Sequence, residues 1–228
     1  MGPISSGTAG SWAVERFRGA AGDLHALQVP DDGARRLWVL EATAPAVVLG
    51  SAQRAEVVDA EAARAAGVEV VRRRSGGGAV WVAPGEPHWV DVVVPRGDPL
   101  WHDDVGRAFL PVGRAWRRAL AELGIPGAEV HDGALVCRPG GVVACFATIG
   151  PGEVLLDGRK VVGISQRRTR AGARFQCAVP VRWDPAPLAA LLADGSVGAE
   201  LAAVGAGIGE GIAVDELVAA LATALDAG

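Results

Sequence analysis

The stretch that points most directly to the fold is Glu153-Val154-Leu155-Leu156-Asp157-Gly158-Arg159-Lys160-Val161-Val162-Gly163-Ile164-Ser165. Asp157-Gly158 is a strong two-residue hairpin signal, because both turn positions need a positive φ. The apolar runs on either side therefore predict two antiparallel strands, Glu153–Leu156 and Arg159–Ser165. Lys160 then stands on a strand, just past a tight turn.

Further elements are predicted on both sides of this hairpin. Apolar and alternating runs favour strands at Arg36–Glu41, Ala46–Gly50, Val68–Val71, Gly133–Cys137, Val142–Phe146 and Ala173–Val181, and a second hairpin that joins Trp81-Val82 to Trp89–Val94 around Pro84-Gly85. Helical spacing favours helices at Ala55–Ala66, Pro187–Ala193 and Val214–Leu225, and one whose buried face holds Val105, Phe109, Val112, Trp116, Leu120 and Leu123. We see no repeat or linker, so residues 1–228 predict one α+β domain, with a mostly antiparallel central sheet flanked by helices.

The composition is that of a globular protein. The 228 residues are 50% hydrophobic with a mean hydropathy of +0.27, enough to bury a full core. No apolar run reaches the roughly 18 residues that span a bilayer, and Met1–Gly22 lacks the charged-then-apolar order of a signal peptide. We therefore expect a cytoplasmic protein without a membrane partner.

The charge pattern argues against a general nucleic-acid binder. The net charge is −4 and the pI about 5.6, there is no tyrosine, and the seven tryptophans are not interleaved with the basic clusters. Arginines nevertheless concentrate at Arg72–Arg74 and at Arg167–Arg170, with Arg174 nearby. These clusters are either local anion sites or solvated faces.

Lys160 is the single lysine among the 22 lysine and arginine residues. A compact ammonium with three donors is not replaceable by a planar guanidinium at a reacting centre. We therefore interpret Lys160 first as a chemical group. The alternative is that a strong arginine bias left one surface lysine by chance.

Ser75-Gly76-Gly77-Gly78 follows the first arginine cluster and lies between predicted strands. Consecutive glycines let backbone N–H groups approach a ligand and form a concave donor surface, suited to a carboxylate, phosphate or thioester oxygen. The loop is not a nucleotide P-loop, because no Gly-Lys-Ser/Thr follows and it leads into a strand instead of a helix. A glycine-rich turn with exposed arginines accounts for the same residues.

The cysteines and histidines suggest only one further candidate. Three cysteines fit neither a disulfide framework nor zinc-binding pairs, so we expect reduced thiols: Cys137, Cys145 and Cys177. Cys145 lies in an apolar run, where an inert thiol is the usual finding and a nucleophile the exception. No metal site is predicted, because neither metal-ligand nor Ser-His-Asp spacing links His88, His102 and His131.

Taken together in chain order, these motifs resemble one known superfamily. The motifs are Arg73-Arg74-Ser75-Gly76-Gly77-Gly78-Ala79-Val80, then Cys145-Phe146, then Asp157-Gly158-Arg159-Lys160-Val161-Val162-Gly163-Ile164-Ser165-Gln166-Arg167-Arg168. Over about Val47–Asp184 the chain resembles the lipoate-protein ligase A and octanoyltransferase superfamily. The resemblance implies the α+β domain shared with biotin-protein ligases, a loop Ser75–Gly78 that lines an acyl tunnel, and a Lys160 that contacts the acyl carbonyl or carboxylate oxygen. Arg73, Arg74, Ala79, Gly163 and Ser165 complete the implied substrate-binding set.

The chain carries features of both mechanistic branches of that superfamily. The unbroken Ser-Gly-Gly-Gly resembles the ATP-dependent ligases, whereas a cysteine before the lysine hairpin resembles the cysteine-dependent octanoyl transferases and amidotransferases. Only about forty residues follow Asp184, too few for the accessory domain that ligases carry or borrow. Two positions where many members have histidine hold Trp81-Val82 and Gln176-Cys177 instead. These departures put in doubt any mechanism that needs a histidine there.

The resemblance implies catalysis by Cys145 and Lys160. Cys145 would attack an acyl thioester on a carrier protein, or an acyl amide on another lipoyl domain, and an acceptor lysine would then take the acyl group. Lys160 would favour the thiolate by its charge and stabilise the oxyanion together with the glycine loop. Lys160→Ala should then lose on the order of a hundredfold in turnover with the fold intact. This route requires no cofactor.

The implied acceptors are lipoyl-domain proteins, namely 2-oxoacid dehydrogenase subunits or the glycine cleavage H protein, and the donor is an acyl carrier protein. Arginines would hold the acidic surfaces of these proteins. In the alternative ligase route, ATP and Mg²⁺ are needed, Lys160 with Arg73 or Arg74 binds an acyl-adenylate, and Cys145 is merely core. A second alternative is a non-catalytic homologue that binds a lipoyl domain or carrier protein.

Overall fold

A computed structural model describes residues 1–141 and 143–228 and places eight strands in one large sheet. Numbered along the chain, these are β1 (Ser5–Ala9), β2 (Trp12–Gly19), β3 (Arg36–Ala42), β7 (His88–Pro95), β8 (Ala128–Val130), β11 (Val154–Leu156), β12 (Arg159–Arg168) and β13 (Gly172–Val179). Their order in space is β1-β2-β3-β7-β13-β12-β11-β8. Only β2 and β3 pair in parallel within this sheet as described, so the expected α+β fold with a mostly antiparallel sheet is confirmed.

Two smaller sheets and six helices complete the described chain. The first small sheet has the order β5-β4-β6, and the second is a ribbon of β9 and β10; their bounds are β4 (Ala46–Leu49), β5 (Glu69–Arg72), β6 (Val80–Val82), β9 (Val136–Cys137) and β10 (Thr148–Ile149). The helices are α1 (Ala21–Ala26), α2 (Ala60–Ala65), α3 (Phe109–Glu122), α4 (Ala186–Ala189), α5 (Gly198–Ala202) and α6 (Val214–Asp226). Across the described residues, no helix combines the length and apolar character needed to cross a bilayer.

The two faces of the large sheet are covered differently. Helices α3 and α6 cover one face, where Val112, Trp116 and Leu120 of α3 are buried at steps of four residues, as an amphipathic helix requires. The three-stranded sheet covers part of the other face, where Val48 and Val82 pack in one cluster with large-sheet residues. The candidate site lies in this second layer, between the two sheets.

The lysine hairpin is confirmed by the backbone. Asp157 and Gly158 have φ values of +50° and +72°, the left-handed conformation that the turn demands. Strands β11 and β12 pair antiparallel around this turn, with Leu155 opposite Lys160. The local signal was sufficient here because a two-residue turn fixes the register of both strands.

The second predicted hairpin is wrong. Strand β6 pairs with β4 in the small sheet, whereas β7 pairs with β3 and β13 in the large sheet. The turn is present, as a bridge between Ala83 and Glu86, but it carries the chain from one sheet to the other. Adjacent strands in sequence were mistaken for partners because periodicity does not report pairing.

Three other predictions need correction. The strand Val142–Phe146 is not found: Val142 lies outside the described residues, Ala144 forms an isolated bridge, and a 3-10 turn covers Cys145–Ala147. The long helix begins at Phe109, leaving Val105 exposed. The region before Arg36, which the sequence left without structure, holds β1, β2 and α1, and β2 joins the large sheet beside β3.

Candidate functional site

The glycine loop and the Cys145 segment are joined by backbone hydrogen bonds. The Ala79 N–H donates to the Val143 carbonyl at 2.7 Å, and the Cys145 N–H donates to the Ala79 carbonyl at 3.0 Å. A Cβ at Gly78 would lie 2.5 Å from the Ala144 carbonyl carbon, so a side chain there would push the two segments apart. Two motifs that are far apart in sequence are therefore held at van der Waals distance.

Arg73 fixes the shape of the loop from inside. Its side chain is 3% exposed and donates to the carbonyls of Val48 at 3.0 Å, Gly76 at 2.7 Å and Gly78 at 2.8 Å. Burial lowers the pKa of the Arg73 guanidinium, and the neighbouring Cys145 acts in the opposite direction. Arg74, by contrast, is exposed, so the two neighbouring arginines have different surroundings.

The loop presents backbone N–H groups without protein acceptors. Within the described part of the chain, no acceptor is present for the N–H groups of Gly76, Gly77 or Gly78. In a trans peptide the C=O and N–H groups point in opposite directions. Because Arg73 binds the Gly76 carbonyl, the N–H of Gly77 points away from Arg73 and is available to an acceptor outside the loop.

Lys160 forms a buried ion pair with Glu153. Both side chains are buried, with the Lys160 side chain fully inaccessible, and Lys160 Nζ lies 2.7 Å from Glu153 Oε2. The same ammonium donates to the carbonyl oxygen of Cys145 at 2.8 Å. Glu153 also accepts from the N–H groups of Gly150 and Ile164, so each of its oxygens has a backbone donor. The lone lysine is thus a positioned interior group and not a surface residue.

The three cysteines have different surroundings. Cys137 is exposed, Cys145 is partly buried at the start of the 3-10 turn, and Cys177 is fully buried. Burial, then the charge of Asp91, raises the pKa of the Cys177 thiol far above its usual value, which keeps that thiol protonated. Cys145 faces the loop, because a Cβ built on Gly77 would lie 3.7 Å from Cys145 Sγ and 2.8 Å from Arg73 Nη2.

A small apolar cavity of about 40 Å³ adjoins Cys145 between the two sheets. Its walls come from both sheets, Arg73, the Cys145 segment and α1, and include Val48, Val82, Trp89, Cys145, Gly163 and Cys177. A larger groove of about 410 Å³ shares Val80, Pro87 and Phe146 with this cavity and is therefore adjacent to it. The Phe146 ring, stacked on Trp183 at 4.7 Å between centroids, stands between the two spaces.

A chain of polar side chains crosses one wall of the cavity. Ser75 Oγ donates to Gln176 Oε1 at 2.6 Å and lies 3.0 Å from Ser165 Oγ, and Gln176 Nε2 lies 2.9 Å from His25 Nδ1. The His25 ring packs on Trp89 with centroids 4.4 Å apart. Burial, then the charges of Arg174 and Arg73, holds the pKa of His25 well below its usual value, so the imidazole is neutral at pH 7.

The second arginine cluster divides between core and surface. Arg174 is fully buried, with Nε 2.6 Å from Asp91 Oδ2, which corrects its assignment to an anion site or solvated face. Arg167 is partly exposed, and burial followed by the charges of Arg74 and Arg174 lowers its pKa. Arg74 and Arg167 are therefore near enough to repel each other, and they form a positive patch beside the glycine loop.

The structure brings most of the predicted site residues to one place. Arg73, Cys145, Gly163 and Ser165 line the cavity, and Arg74 lies on the outer surface. The loop from Ser75 to Ala79 and the side chain of Lys160 are joined to those lining residues by hydrogen bonds. Sequence reasoning missed Glu153 and His25. One sequence feature could have identified Glu153: it is a carboxylate at the start of an apolar strand whose hairpin partner contains the single lysine of the sequence. His25, in a six-residue helix without a motif, carried none.

Two curated proteins are similar to this chain in sequence. The octanoyltransferase LipM of Moorella thermoacetica is 33% identical over 130 residues, covering 54% of this chain and 45% of that protein. The octanoyltransferase LipM of Exiguobacterium sp. is 28% identical over 145 residues, covering 61% of this chain and 51% of that protein. The chain thus spans about half the length of the curated relatives it matches.

A solved structure shares the fold. The lipoate protein ligase of T. acidophilum with bound lipoic acid superposes with a TM-score of 0.72 at 20% identity, covering 96% of this chain and 85% of that one. The sequence model described as the lipoyl protein ligase A/B catalytic domain matches residues 23–226, a range that includes the glycine loop, Cys145 and the Lys160 hairpin. Because that match takes in nearly the whole chain, the chain belongs to the lipoyl protein ligase A/B catalytic domain family.

Proposed function

We propose that this protein is an acyltransferase that places an octanoyl or lipoyl group on a specific lysine of a lipoyl-domain protein, through an acyl-Cys145 intermediate. The observation that carries the proposal is the meeting of a partly accessible Cys145, the Lys160 ammonium and the glycine loop beside one apolar cavity. Both curated relatives are octanoyltransferases, which supports the same chemistry here.

The reaction proceeds in two half-reactions. In the first, Cys145 Sγ attacks the carbonyl carbon of an acyl thioester; a new S–C bond forms, the bond to the carrier sulfur breaks, and that sulfur takes the proton that Cys145 gave up. In the second, the amine of the acceptor lysine attacks the acyl-cysteine, an amide forms, and Cys145 leaves as a thiol. Neither half-reaction consumes ATP.

Lys160 serves this reaction as an oriented donor. An ammonium has three N–H donors, and within the described residues two are engaged, by Glu153 Oε2 and the Cys145 carbonyl. The third N–H has no acceptor in the described part of the chain, and we propose that it turns to the acyl oxygen as that oxygen gains negative charge. Because Glu153 compensates the charge of Lys160, we assign its contribution to a fixed N–H direction and not to a net positive field. Free N–H groups of the glycine loop supply further donors.

The positive patch of Arg74 and Arg167 suits an acidic protein surface. Both side chains lie outside the cavity and beside the loop, where a carrier or acceptor domain would approach Cys145. We propose an acyl carrier protein as donor, and 2-oxoacid dehydrogenase subunits or the glycine cleavage H protein as acceptors. Exposed charges of this kind raise the association rate more than the affinity, so their effect should fade with added salt.

The ATP-dependent route receives less support from the site. It needs Arg73 or Arg74 to bind an acyl-adenylate, but the donors of Arg73 face the carbonyls of the loop and its side chain is buried. The transferase route therefore gives Cys145 a chemical role, whereas the ligase route gives it none.

The test is intact-mass analysis after incubation with octanoyl-acyl carrier protein and no ATP. We expect a hydroxylamine-labile octanoyl adduct on the wild type and on Cys137→Ala, because Cys137 lies outside the cavity, and none on Cys145→Ala. Absence of the adduct, with pyrophosphate released from octanoate or lipoate and ATP-Mg²⁺, would move the protein to the ligase branch. If neither an octanoyl adduct nor pyrophosphate is detected, a non-catalytic binding protein would be favoured.

A further inference from the structure

One polar group of the cavity has no protein partner. His25 lines the cavity and is 9% exposed, yet only its Nδ1 is engaged in a side-chain hydrogen bond. Within residues 1–141 and 143–228, no acceptor or donor is present for its Nε2. The residue is buried but Nε2 is not a fully enclosed atom, so this nitrogen opens onto the mostly apolar cavity and can pair with a group that arrives with a ligand.

The hydrogen-bond chain determines which form of His25 faces the cavity. Gln176 Oε1 accepts from Ser75 and Ser165, which leaves Gln176 Nε2 to donate to His25 Nδ1. Nδ1 is therefore the acceptor nitrogen of the ring. Because the ring is neutral at pH 7, its one proton resides on Nε2, and the unpaired group is a donor.

The ring is held in place by contacts with the protein itself. Arg174 donates to the carbonyls of Leu24, His25 and Leu27 at the end of α1, and Arg174 is itself paired with the buried Asp91. Trp89 supports one face of the imidazole. The donor is thus fixed before any ligand binds, which is the property expected of a residue that orients a substrate.

We propose that His25 donates a hydrogen bond, through Nε2–H, to an acceptor atom of the acyl group that occupies this cavity. The inference rests on the proposed acyl transfer and adds to it a ligand-contacting residue from α1, outside the motifs. A cavity of about 40 Å³ holds only a few water-sized groups, so it takes the acyl end of the chain and the acceptor lies close to Cys145. It is either the thioester carbonyl oxygen or a heteroatom carried by one of the first carbons of the acyl chain.

The test uses two substitutions with opposite properties. His25→Phe keeps a flat ring against Trp89 and removes the donor, whereas His25→Gln removes the ring and retains an N–H near the Nε2 position. His102→Phe, in the loop before α3, is the matched control because its ring contacts the backbone of Asp104 and not the cavity. Rates of Cys145 acylation are measured by quenched intact mass, over a range of octanoyl- and 3-hydroxyoctanoyl-acyl carrier protein concentrations.

We expect His25→Phe to react about 10- to 100-fold more slowly than the wild type, the range for an unmade hydrogen bond to a buried group, and His25→Gln to recover part of the loss. If His25→Phe slows acylation by both acyl substrates, the hydrogen-bond acceptor is the thioester carbonyl. If it slows acylation only by the hydroxylated substrate, the acceptor is the hydroxyl of the acyl chain. If a folded His25→Phe variant is acylated as fast as the wild type by both acyl substrates, the proposal is overturned.

Two additions keep the outcome decisive. If His25→Phe does not fold, His25→Gln is compared with His25→Leu, and equal rates for this pair overturn the proposal. If the wild type forms no adduct, binding of octanoyl-acyl carrier protein to Cys145→Ala is measured by calorimetry with and without His25→Phe. A His25-dependent affinity then upholds the contact although acyl transfer has failed, and an affinity independent of His25 rejects it.

Discussion

The buried pair of Lys160 and Glu153 gives the sharpest stability prediction. Their charged atoms lie 2.7 Å apart with both side chains out of solvent. Glu153→Gln leaves the Lys160 ammonium buried without a counter-charge, and removal of one partner from such a pair costs about 3 to 5 kcal/mol. Lys160→Met should cost less, toward 3 kcal/mol, because backbone N–H groups of Gly150 and Ile164 still bind the carboxylate.

The double variant separates the pair from its surroundings. With both charges removed, no ion remains to be compensated, so Glu153→Gln combined with Lys160→Met should be more stable than the sum of the single losses by about 1 to 3 kcal/mol. The free energy of unfolding is measured by urea titration at pH 7 and followed by tryptophan fluorescence, with the slope compared across variants. A Glu153→Gln loss below about 1 kcal/mol, with additive single effects, would refute the assignment of a buried ionised pair.

The same pair revises the expectation from sequence that Lys160→Ala leaves the fold intact. Since Lys160 also holds the Cys145 carbonyl, its loss should reduce both stability and the acylation rate, the latter by on the order of a hundredfold. Glu153→Gln retains the ammonium but not its direction, so we expect a smaller loss in rate than in Lys160→Met. Acylation rates are compared without urea, at a temperature where every variant is more than nine-tenths folded.

Three further outcomes are expected. Iodoacetamide should modify Cys145 but not the fully buried Cys177, as peptide mapping of the native protein would show; equal labelling would contradict the burial described above. Gly78→Ala should abolish acylation and lower stability, because its Cβ would meet the backbone next to the cysteine at 2.5 Å, whereas Gly211→Ala, with open space around it, should change neither. The lowered pKa of His25 predicts that the free energy of unfolding falls by up to about 1.4 kcal/mol per pH unit as the pH drops below roughly 6.5, because the unfolded chain binds the proton first. Urea titrations from pH 5 to 8 measure this slope, and His25→Phe should remove it.

Prediction from sequence succeeded where short-range constraints act. The turn Asp157-Gly158 specified a hairpin because few residues adopt two consecutive positive φ values. The spacing of Val112, Trp116 and Leu120 specified the face of α3 because a helix repeats every 3.6 residues. Both signals depend on neighbours in the chain, and both were correct.

Prediction failed where a residue's partner lies far along the chain. Strands β6 and β7 are consecutive in sequence but join different sheets, and the run around Cys145 is not a strand, because its backbone pairs with Ala79 at an isolated bridge. The same limit applies to the site. Nothing local marks His25, since its neighbours in the cavity come from β7 and β13 and not from its own helix.

The sequence by itself determined the α+β class, the lysine hairpin and the glycine loop, since each depends on local backbone preference or on residue types at fixed spacing. Its resemblance to a known superfamily supplied the candidate pair Cys145 and Lys160. Only the tertiary structure decided that Lys160 is paired with Glu153, that Arg73 holds the loop from within while Arg74 stays outside, and that His25 enters the cavity. The physical reason is that burial and charge compensation depend on which distant segments pack together, and one sequence read alone does not contain that information.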